Sequence, residues 1–336
     1  MKTTTVMPDH IIEIGYAFWK AKALLTAVEL GLFTVLADGP LRCEELIFRL
    51  GLQERGALDF LDALVALKLL DRNSDGRYAN SPDTNLYLDR GKRTYIGGMF
   101  ELLNARLYQN WNSLTQVLRT GLPLGSLRSG SYPALFGDKL EQELFLKAMT
   151  GGTLIAARTL SVKFPWHVYS TFIDIGSAEG CLPVEIARSH AHLTGGGFDL
   201  PVVEPSFTSY VRACGLSERL QFYPGDFMSE PLPEADVLVM GRILHNWDLS
   251  TKKFLVKKAY GALQAGGALI VYDGLIDENR SFHAHNLLAS LNMLIETSGG
   301  SEYTAGDCIR WMQEAGFHEA RLESLGSVNS AVIGFK

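Results

Sequence analysis

The stretch FIDIGSAEGCLP, residues Phe172–Pro183, contains the pattern that decides the fold. A short apolar run with Asp174 near its end breaks at Gly176, a second glycine follows at Gly180, and a helical pattern begins directly afterwards. In open α/β sheets, ligands bind at the carboxyl ends of the strands, where the turn into the next helix needs glycine so that backbone can approach the ligand. The stretch therefore predicts a strand, a ligand-binding turn and a helix.

Strand-like and helix-like patterns alternate from this point to residue 273. In chain order they are TFIDI, PVEIARSH, GGGFDL, RLQFY, ADVLVMG, KKFLVKKAYGAL and GALIVYD. Such alternation is typical of a Rossmann-like α/β domain with a mostly parallel sheet. After the helix DCIRWMQEAGF, the strand-like pieces RLESLG and SAVIGFK follow each other with no helix between them. Strands joined in this way pair antiparallel, so we expect an antiparallel edge strand.

The N-terminal part has the pattern of helices that end in a hairpin. Apolar residues recur three and four apart from Ile11 to about Leu70, and LLDRNSDGRYANS contains a turn signal at Asp75-Gly76. This predicts a winged-helix-like domain. The helix that would enter DNA, residues 53–70, carries three acids and two bases, whereas phosphate contact demands a basic surface. We therefore expect no nucleic-acid partner, and the apolar content of these helices instead favours self-association.

Between this domain and the α/β domain, the sequence predicts two more helices. An amphipathic pattern runs from Arg93 to Gly121, and a Gly/Ser/Pro-rich linker at 121–133 separates it from the helical segment DKLEQELFLKAMTGGTLIAARTL. We therefore expect three parts. They are a dimerisation domain at 1–92, a helical linker with substrate-pocket helices at 93–165, and a catalytic domain at 166–336.

Composition narrows the functional classes further. The 336 residues carry a formal net charge of −6, which favours neither nucleic acid nor an anionic membrane surface. No apolar run approaches the ~20 residues that span a bilayer, and the N-terminus lacks the apolar core of a signal peptide, so we expect a cytoplasmic protein with no membrane partner. The four cysteines form no C-x-x-C pair, which indicates neither a zinc site nor a disulfide framework.

The acids at three successive strand ends suggest the ligand. The loop spacing D-x-G-x-x-x-G matches neither a dinucleotide site nor a phosphate loop, and Asp174 would repel a pyrophosphate. It suits a ligand with an ammonium or sulfonium charge, and S-adenosyl-L-methionine has both. Asp199 ends the next strand, where a carboxylate can bind the hydroxyls of a ribose. Asp226 and Phe227 follow the third strand, where the ring can stack on adenine and the acid can accept from its amino group.

A histidine follows the fourth strand at the same edge. His245, in RILHNWD, should border the reactive end of the ligand, and two acids are candidates to orient it: Asp273 at the end of GALIVYD and Glu302 in GGSEYT. An imidazole held by carboxylates is made more basic. We interpret His245 as a general base. A second pattern, His283-x-His285, could bind a metal, but a solvated helix start explains it better, and we expect no metal.

Together these motifs identify a family. In order, DIGSAEG, FDLP, GDF, RILHNWD, GGALIVYD and GGSEYT resemble the S-adenosylmethionine-dependent small-molecule O-methyltransferases of the plant caffeate and hydroxyindole type, including bacterial enzymes of phenazine, anthracycline and pyrrole-pigment pathways. The resemblance covers nearly the whole chain. It implies a homodimer formed through the N-terminal domain, and a small aromatic or heteroaromatic substrate.

The resemblance also assigns roles to residues. It places the catalytic group at His245, Asp273 and Glu302. It places the cofactor contacts at Asp174, Gly176, Gly180, Asp199, Leu200, Asp226, Phe227, Arg242 and Trp247. We expect an apolar and aromatic acceptor pocket built from Trp111, Met149, Asn292, Met293 and Glu296. The chain departs from the family at Ser177-Ala178-Glu179, where glycines are common, and at Asn246, where aspartate is usual; Glu179 is a candidate contact for the cofactor's ammonium.

Several alternatives stay open at this point. Relatives on this scaffold methylate carbon or nitrogen, and a few bind the cofactor without transferring methyl. A winged-helix regulator that senses a small molecule is a further alternative, against which the acidic helix argues. The missing G-x-G-x-x-G disfavours a nicotinamide dehydrogenase. The sequence favours an O-methyltransferase whose histidine removes a proton from an acidic hydroxyl.

Overall fold

A computed structural model describes residues 6–124 and 137–336. The chain divides into two compact units, Met1–Tyr108 and Gln109–Lys336. Most of the linker predicted at 121–133 lies outside the described residues. None of the helices in the described ranges combines the length and apolarity needed to cross a membrane.

The first unit contains helices and one hairpin. The helices are α1 (Asp9–Glu29), α2 (Leu32–Val35), α3 (Cys43–Leu50), α4 (Glu54–Ala66), α5 (Pro82–Tyr87) and α6 (Gly97–Leu102), and the hairpin strands are β1 (Leu70–Arg72) and β2 (Tyr78–Asn80). The strands pair antiparallel across the turn at Gly76, which has a φ of 74°. The predicted hairpin is confirmed. The helix predicted to reach Leu70 ends at Ala66, because Lys68 adopts a left-handed φ of 62° and Leu70 already belongs to β1.

The core of this unit is formed by apolar residues from α1, α2, α3 and α4. Leu32, Phe33, Leu46, Leu61 and Leu64 are almost fully buried. The first half of α1 is different, because its apolar side chains are exposed, among them Ile11, Ile14, Phe18 and Trp19.

The segment predicted as one helix from Arg93 to Gly121 is a series of short helical pieces. After α6 come a π-helical turn (Leu103–Leu107), α7 (Tyr108–Asn110), a 3₁₀ turn (Trp111–Ser113) and α8 (Leu114–Thr120). The prediction of a continuous helix was wrong here. Asparagine and serine, which are frequent between residues 104 and 113, compete for backbone hydrogen bonds and favour such interruptions.

The second unit continues with helices and strands that alternate. The helices after α8 are α9 (Lys139–Lys163), α10 (Cys181–Ser189), α11 (Glu204–Ala213), α12 (Leu249–Ala262), α13 (Ala284–Glu296) and α14 (Ala305–Ala315). The strands are β3 (Thr171–Ile175), β4 (Thr194–Asp199), β5 (Leu220–Pro224), β6 (Ala235–Gly241), β7 (Leu263–Asp273), β8 (Glu319–Ser324) and β9 (Ser330–Phe335).

These seven strands form one sheet in the order β5-β4-β3-β6-β7-β9-β8. The first five are parallel to one another, and β9 is antiparallel to both β7 and β8. The predicted fold class, a mostly parallel Rossmann-like sheet with an antiparallel strand towards one edge, is confirmed. The chain places β9 one position inside the edge, with β8 outermost.

Helices cover both faces of the sheet. One apolar cluster joins α9, α10 and α11 to one face, and a second joins α12 and α14 to the other. In β3, Phe172 belongs to the first cluster, whereas Ile173 and Ile175 belong to the second. A strand buried on both faces reads as a continuous apolar run, which explains the TFIDI pattern.

The parallel arrangement brings chemically active residues to one edge. Strands β3 to β7 run in the same direction, so their carboxyl ends meet at the same side of the sheet. The polar residues at or just after these ends are Asp174, Asp199, Asp226, Arg242 and Asp273.

Candidate active site

The glycine loop after β3 makes its turn with left-handed backbone. Gly176 has a φ of 74° and Gly180, the N-cap of α10, a φ of 90°. A Cβ on Gly176 would lie 2.3 Å from Cδ1 of Ile243, and one on Gly180 would lie 2.7 Å from Cε2 of Phe207. Only glycine fits either position, because a side chain would be strained by the backbone and would collide with a neighbour.

Asp199 closes this loop from the end of β4. Its carboxylate accepts hydrogen bonds from the amide of Ala178 at 2.9 Å and from the amide of Leu200 at 2.7 Å. Burial raises the pKa of Asp199 to about 6, although these two amides favour the ionised form. Burial, followed by the charge of Asp199, also raises the pKa of Asp174. A buried acid, Asp174, and a half-buried one, Asp199, therefore lie at the loop, and a cationic ligand would stabilise their ionised forms.

An aromatic pair follows the next strand ends. The rings of Phe227 and Trp247 meet edge to face, with centroids 6.1 Å apart. The Phe227 ring also approaches the glycine loop, since its Cε1 lies 3.9 Å from the Cβ position of Gly176. Asp226 accepts the amide of Met228 at 2.8 Å and so orders the turn that presents Phe227.

Arg242 lies in the turn directly after β6. Its backbone is left-handed, with a φ of 57°, and its amide donates to the carbonyl of Tyr272 at 2.8 Å. Asn246 donates its side-chain amide to the carbonyl of Arg242 at 3.0 Å. In this chain Asn246 therefore stabilises the turn that carries His245.

His245 is buried between two carboxylates. Its Nδ1 lies 2.8 Å from Oε1 of Glu302 and 3.6 Å from Oδ1 of Asp273. Burial lowers the pKa of His245, but the charges of Glu302 and Asp273 outweigh burial, and the net pKa lies above the ordinary histidine value. Burial raises the pKa of Asp273 to about 6. The structure thus brings together the three residues that the sequence predicted as a catalytic group.

Two residues that the sequence analysis missed support this group. Tyr303 donates its hydroxyl to Oδ2 of Asp273 at 2.5 Å. Lys252 is buried and donates to the carbonyl of Ser301 at 2.8 Å and to its hydroxyl at 3.0 Å. The signal for Lys252 is its position on α12, three, four and seven residues before the buried Leu255, Val256 and Ala259, where an apolar residue would be expected.

The residues predicted for the acceptor pocket come from two places. Nε1 of Trp111 donates to Oδ1 of Asn292 at 3.0 Å, and Asn110 donates to Oε1 of Glu296 at 2.7 Å. These bonds join the end of α7 and the 3₁₀ turn at Trp111 to α13, the helix that also carries Met293 and that contacts the turn containing His245. Met149 is partly buried on a different helix, α9.

Glu179 does not extend freely from the loop. Its carboxylate accepts a hydrogen bond from the hydroxyl of Thr150 at 2.7 Å, and burial raises its pKa. The H-x-H pair lies at the exposed start of α13, with His283 as the N-cap and His285 in the first turn.

His245, Asp273 and Glu302 also form a group with the donor spacing of a metal site, since their nearest donor atoms lie within 4.8 Å of one another. A hydrogen bond to a carboxylate requires a proton on Nδ1 of His245. In this geometry Nδ1 donates its proton to Glu302 and has no lone pair for a metal. The hydrogen bond alone accounts for the close spacing of His245 and Glu302.

The strand-end residues fit S-adenosylmethionine. Four buried polar atoms at this edge lack a hydrogen-bond partner among the described residues: Oγ of Ser177, Nε of Arg242, Oδ1 of Asp273 and Oε2 of Glu302. A ligand that carries both donors and acceptors would satisfy them. By their chemistry, Asp174 would suit its cationic end, Asp199 its ribose, the aromatic pair its adenine, and Arg242 its carboxylate.

Comparison with known protein families covers most of the chain. Residues 111–318 match the sequence profile of an O-methyltransferase domain, and residues 12–90 match that of an O-methyltransferase dimerisation domain.

Individual relatives match over nearly their full lengths. The chain is 40% identical over 329 residues to the tetracenomycin polyketide synthesis 8-O-methyl transferase TcmO of Streptomyces glaucescens, covering 98% of this chain and 97% of that protein. It is 35% identical to the N,N-dimethyltransferase OxyT of Streptomyces rimosus, covering 98% and 97%. Among solved structures, human N-acetylserotonin methyltransferase in complex with SAM matches with a TM-score of 0.90 at 26% identity, covering 100% of this chain and 99% of that one.

The matched domains, the relatives and the strand-end geometry agree. The chain belongs to the S-adenosylmethionine-dependent O-methyltransferase family.

Proposed function

We propose that this enzyme transfers the methyl group of S-adenosylmethionine to a hydroxyl of a small aromatic or heteroaromatic metabolite, with His245 as the general base. The observation that carries the proposal is the buried contact of 2.8 Å between Nδ1 of His245 and Glu302, at the strand edge that also carries the cofactor residues.

The contact with Glu302 determines which nitrogen of His245 can act as a base. An ionised carboxylate only accepts hydrogen bonds, so Nδ1 carries the proton and Nε2 carries the lone pair. Glu302 and Asp273 also stabilise the imidazolium that forms when Nε2 takes a proton. The histidine is therefore oriented and ready to accept one proton before any substrate binds.

The basicity of His245 suits a phenol. A free phenol titrates near ~10 and an ordinary histidine near ~6.5, and the two carboxylates narrow this gap because they raise the pKa of His245. Proton transfer is then easiest as the oxygen–methyl bond forms and the phenol becomes more acidic. General base catalysis of this kind contributes about 10²–10⁴-fold.

S-adenosylmethionine supplies an electrophilic methyl group on a sulfonium. The chain's own residues hold it and the acceptor in line, which can contribute about 7–11 kcal/mol by fixing the approach of two reactants. Asp199 binds the ribose, Phe227 and Trp247 pack by the adenine, and Arg242 binds the carboxylate. Asp174 keeps negative charge near the cationic end.

Named relatives support a fused or substituted aromatic acceptor. Besides the tetracenomycin enzyme, one is a 3-hydroxy-5-methyl-1-naphthoate 3-O-methyltransferase, 30% identical, and another an acetylserotonin O-methyltransferase, 31% identical. The contacts of Trp111 and Asn292 are consistent with a flat pocket wall beside His245. Methylation of an amine is the second candidate, because the relative OxyT is named an N,N-dimethyltransferase.

The first unit supports a homodimer. The exposed apolar side chains at the start of α1, among them Ile11, Phe18 and Trp19, lie in or next to the matched dimerisation domain.

Light scattering on the purified protein should give twice the chain mass of 37.0 kDa. A stable monomer at micromolar concentration would contradict this assignment.

Transfer of an isotopically labelled methyl group tests the proposed reaction. The protein is incubated with labelled S-adenosylmethionine and a panel of acceptors: a hydroxynaphthoate, a polycyclic phenol, N-acetylserotonin and an aromatic amine. We expect a product with one added methyl on oxygen, which mass spectrometry detects and nuclear magnetic resonance locates.

The same assay tests the base with a matched pair of variants. His245→Gln should lower kcat by about 10²–10⁴-fold, the contribution expected of a general base, while affinity for S-adenosylmethionine stays unchanged. His318→Gln, which alters an exposed histidine before β8, should retain the wild-type rate. A fully active His245→Gln enzyme would refute the base, and label on nitrogen would favour the amine candidate.

The pH dependence should report the contact with Glu302. His245 must be neutral to accept a proton, so kcat/KM should rise with pH through a pKa above the ordinary ~6.5. Of the two carboxylates whose charges raise the pKa of His245, Glu302 has the larger effect, and Glu302→Gln removes it. We expect the acidic limb of the profile to move to lower pH and the plateau to fall. A limb that stays in place or moves to higher pH would show that Glu302 does not set the basicity.

The ribose role of Asp199 has its own test. Asp199→Asn loses an acceptor for the ribose hydroxyls, and we expect affinity for S-adenosylmethionine to fall by about tenfold or more in calorimetry. Asp236→Asn is the control, because Asp236 also accepts two backbone amides, at 2.8 and 2.9 Å, but lies at the amino end of β6. Equal loss of affinity in both variants would refute the ribose contact and indicate a general effect on the fold.

A further inference from the structure

Lys252 is a buried cation close in sequence to the proposed base. It lies on the first turn of α12, seven residues after His245, and its side chain is almost completely enclosed, with 3% of the residue exposed. A buried lysine is costly unless its three donors are satisfied and a negative charge is near. The arrangement of its partners indicates what the charge does.

The partners of Lys252 are Ser301 and Tyr303, the two neighbours of Glu302 in the chain. Nζ donates to the carbonyl of Ser301 at 2.8 Å and to its hydroxyl at 3.0 Å, and it lies 5.2 Å from the centre of the Tyr303 ring. The residue between these two partners is Glu302. Lys252 therefore contacts the residues on both sides of the acid that contacts His245, through hydrogen bonds to Ser301 and through the ring of Tyr303.

The same segment is tied directly to the base. The amide of Ser301 donates to the carbonyl of His245 at 2.8 Å, and the amide of Glu302 donates to the hydroxyl of Ser290 on α13 at 3.1 Å. The hydroxyl of Tyr303 donates a hydrogen bond to Asp273. With Lys252 removed, Ser301 would lose the partners of two oxygens, and the register between Glu302 and His245 would depend on the remaining bonds.

The charges around Lys252 also indicate a role in holding Glu302 in place. Asp273 and Glu302 are both buried, and two neighbouring carboxylates resist simultaneous ionisation unless cations are near. Lys252 interacts electrostatically with both acids and also with Asp248 and Asp307, while burial lowers its own pKa. Arg242 interacts electrostatically with His245 as well and lowers its pKa.

From this arrangement we propose that Lys252 is a positioning residue, whose ammonium holds Ser301 and Tyr303 so that Glu302 stays on Nδ1 of His245. The proposal depends on His245 being the base of the proposed reaction for its effect on turnover. Its effect on the His245–Glu302 contact can be measured with no acceptor present.

The direct readout is the titration of the His245 ring, followed by nuclear magnetic resonance. In Lys252→Met, Glu302 should move away from Nδ1, and the pKa of His245 should fall, in the same direction as in Glu302→Gln. Simple loss of a nearby cation would instead raise the pKa of His245. The sign therefore separates positioning from bare charge, and an unchanged or raised pKa would overturn the proposal.

The neighbouring residue offers a matched control. Lys253 lies on the same turn but is only partly buried and pairs with Glu314 at 2.8 Å. Lys253→Met should leave the His245 titration and turnover at wild-type values. Lys252→Arg keeps the charge and donors, so it should restore the titration in part. An equal shift of the His245 pKa in Lys253→Met and Lys252→Met would contradict a specific role.

Turnover gives an independent check by a double-mutant cycle. If Lys252 acts through Glu302, Lys252→Met should lower kcat by about tenfold in the wild-type enzyme and much less in the Glu302→Gln enzyme, with the affinity for S-adenosylmethionine unchanged. Equal losses in both backgrounds would indicate only general destabilisation and overturn the proposal. If His245→Gln is itself fully active, the proposed function fails, whereas the ring titration still decides whether Lys252 positions Glu302.

Discussion

The contact between Nδ1 of His245 and Glu302 is the interaction on which the proposed chemistry of this protein depends. It is buried, it fixes the tautomer of the imidazole, and it raises the pKa of the histidine against the opposing effect of burial. Tyr303 donates a hydrogen bond to Asp273, and Lys252 donates one to the carbonyl of Ser301. The charge of Lys252 also offsets part of the cost of burying Asp273 and Glu302. Removing any of these groups would leave buried charge without its partner, so the site is expected to be sensitive to conservative substitutions.

The sheet determines where this contact can lie. Five parallel strands bring their carboxyl ends to one edge, and the glycine loop, the acid of β4 and the turn after β6 follow from that geometry. Left-handed backbone at Gly176, Gly180 and Arg242 allows these turns to be short. The proposed cofactor residues and the proposed base are therefore positioned by the same sheet edge, and a donor and an acceptor bound there would be neighbours.

Residues at strand ends could be predicted from the sequence, because position in an alternating pattern is enough to place Asp199 and His245 at the ligand edge. The helical spacing of Lys252 from Leu255 and Val256 marks it among the lysines of TKKFLVKK as the one on the apolar face of α12, but its contact with Ser301 could not be predicted, because it depends on the packing of α12 against a distant segment. The π-helical turn at Leu103–Leu107 was also hidden, because its leucines fit an ordinary helical stripe equally well. The short turn between β8 and β9 predicted that these two strands pair antiparallel. It could not predict which of them lies next to β7, because that order depends on packing between strands.

A crystal structure with S-adenosylhomocysteine and the methyl acceptor bound would test the central claim most directly. The account predicts that the acceptor oxygen lies within hydrogen-bond distance of Nε2 of His245, with Glu302 still on Nδ1 and the ribose on Asp199. An acceptor atom directed away from His245, or a cofactor that leaves Asp199 uncontacted, would contradict it.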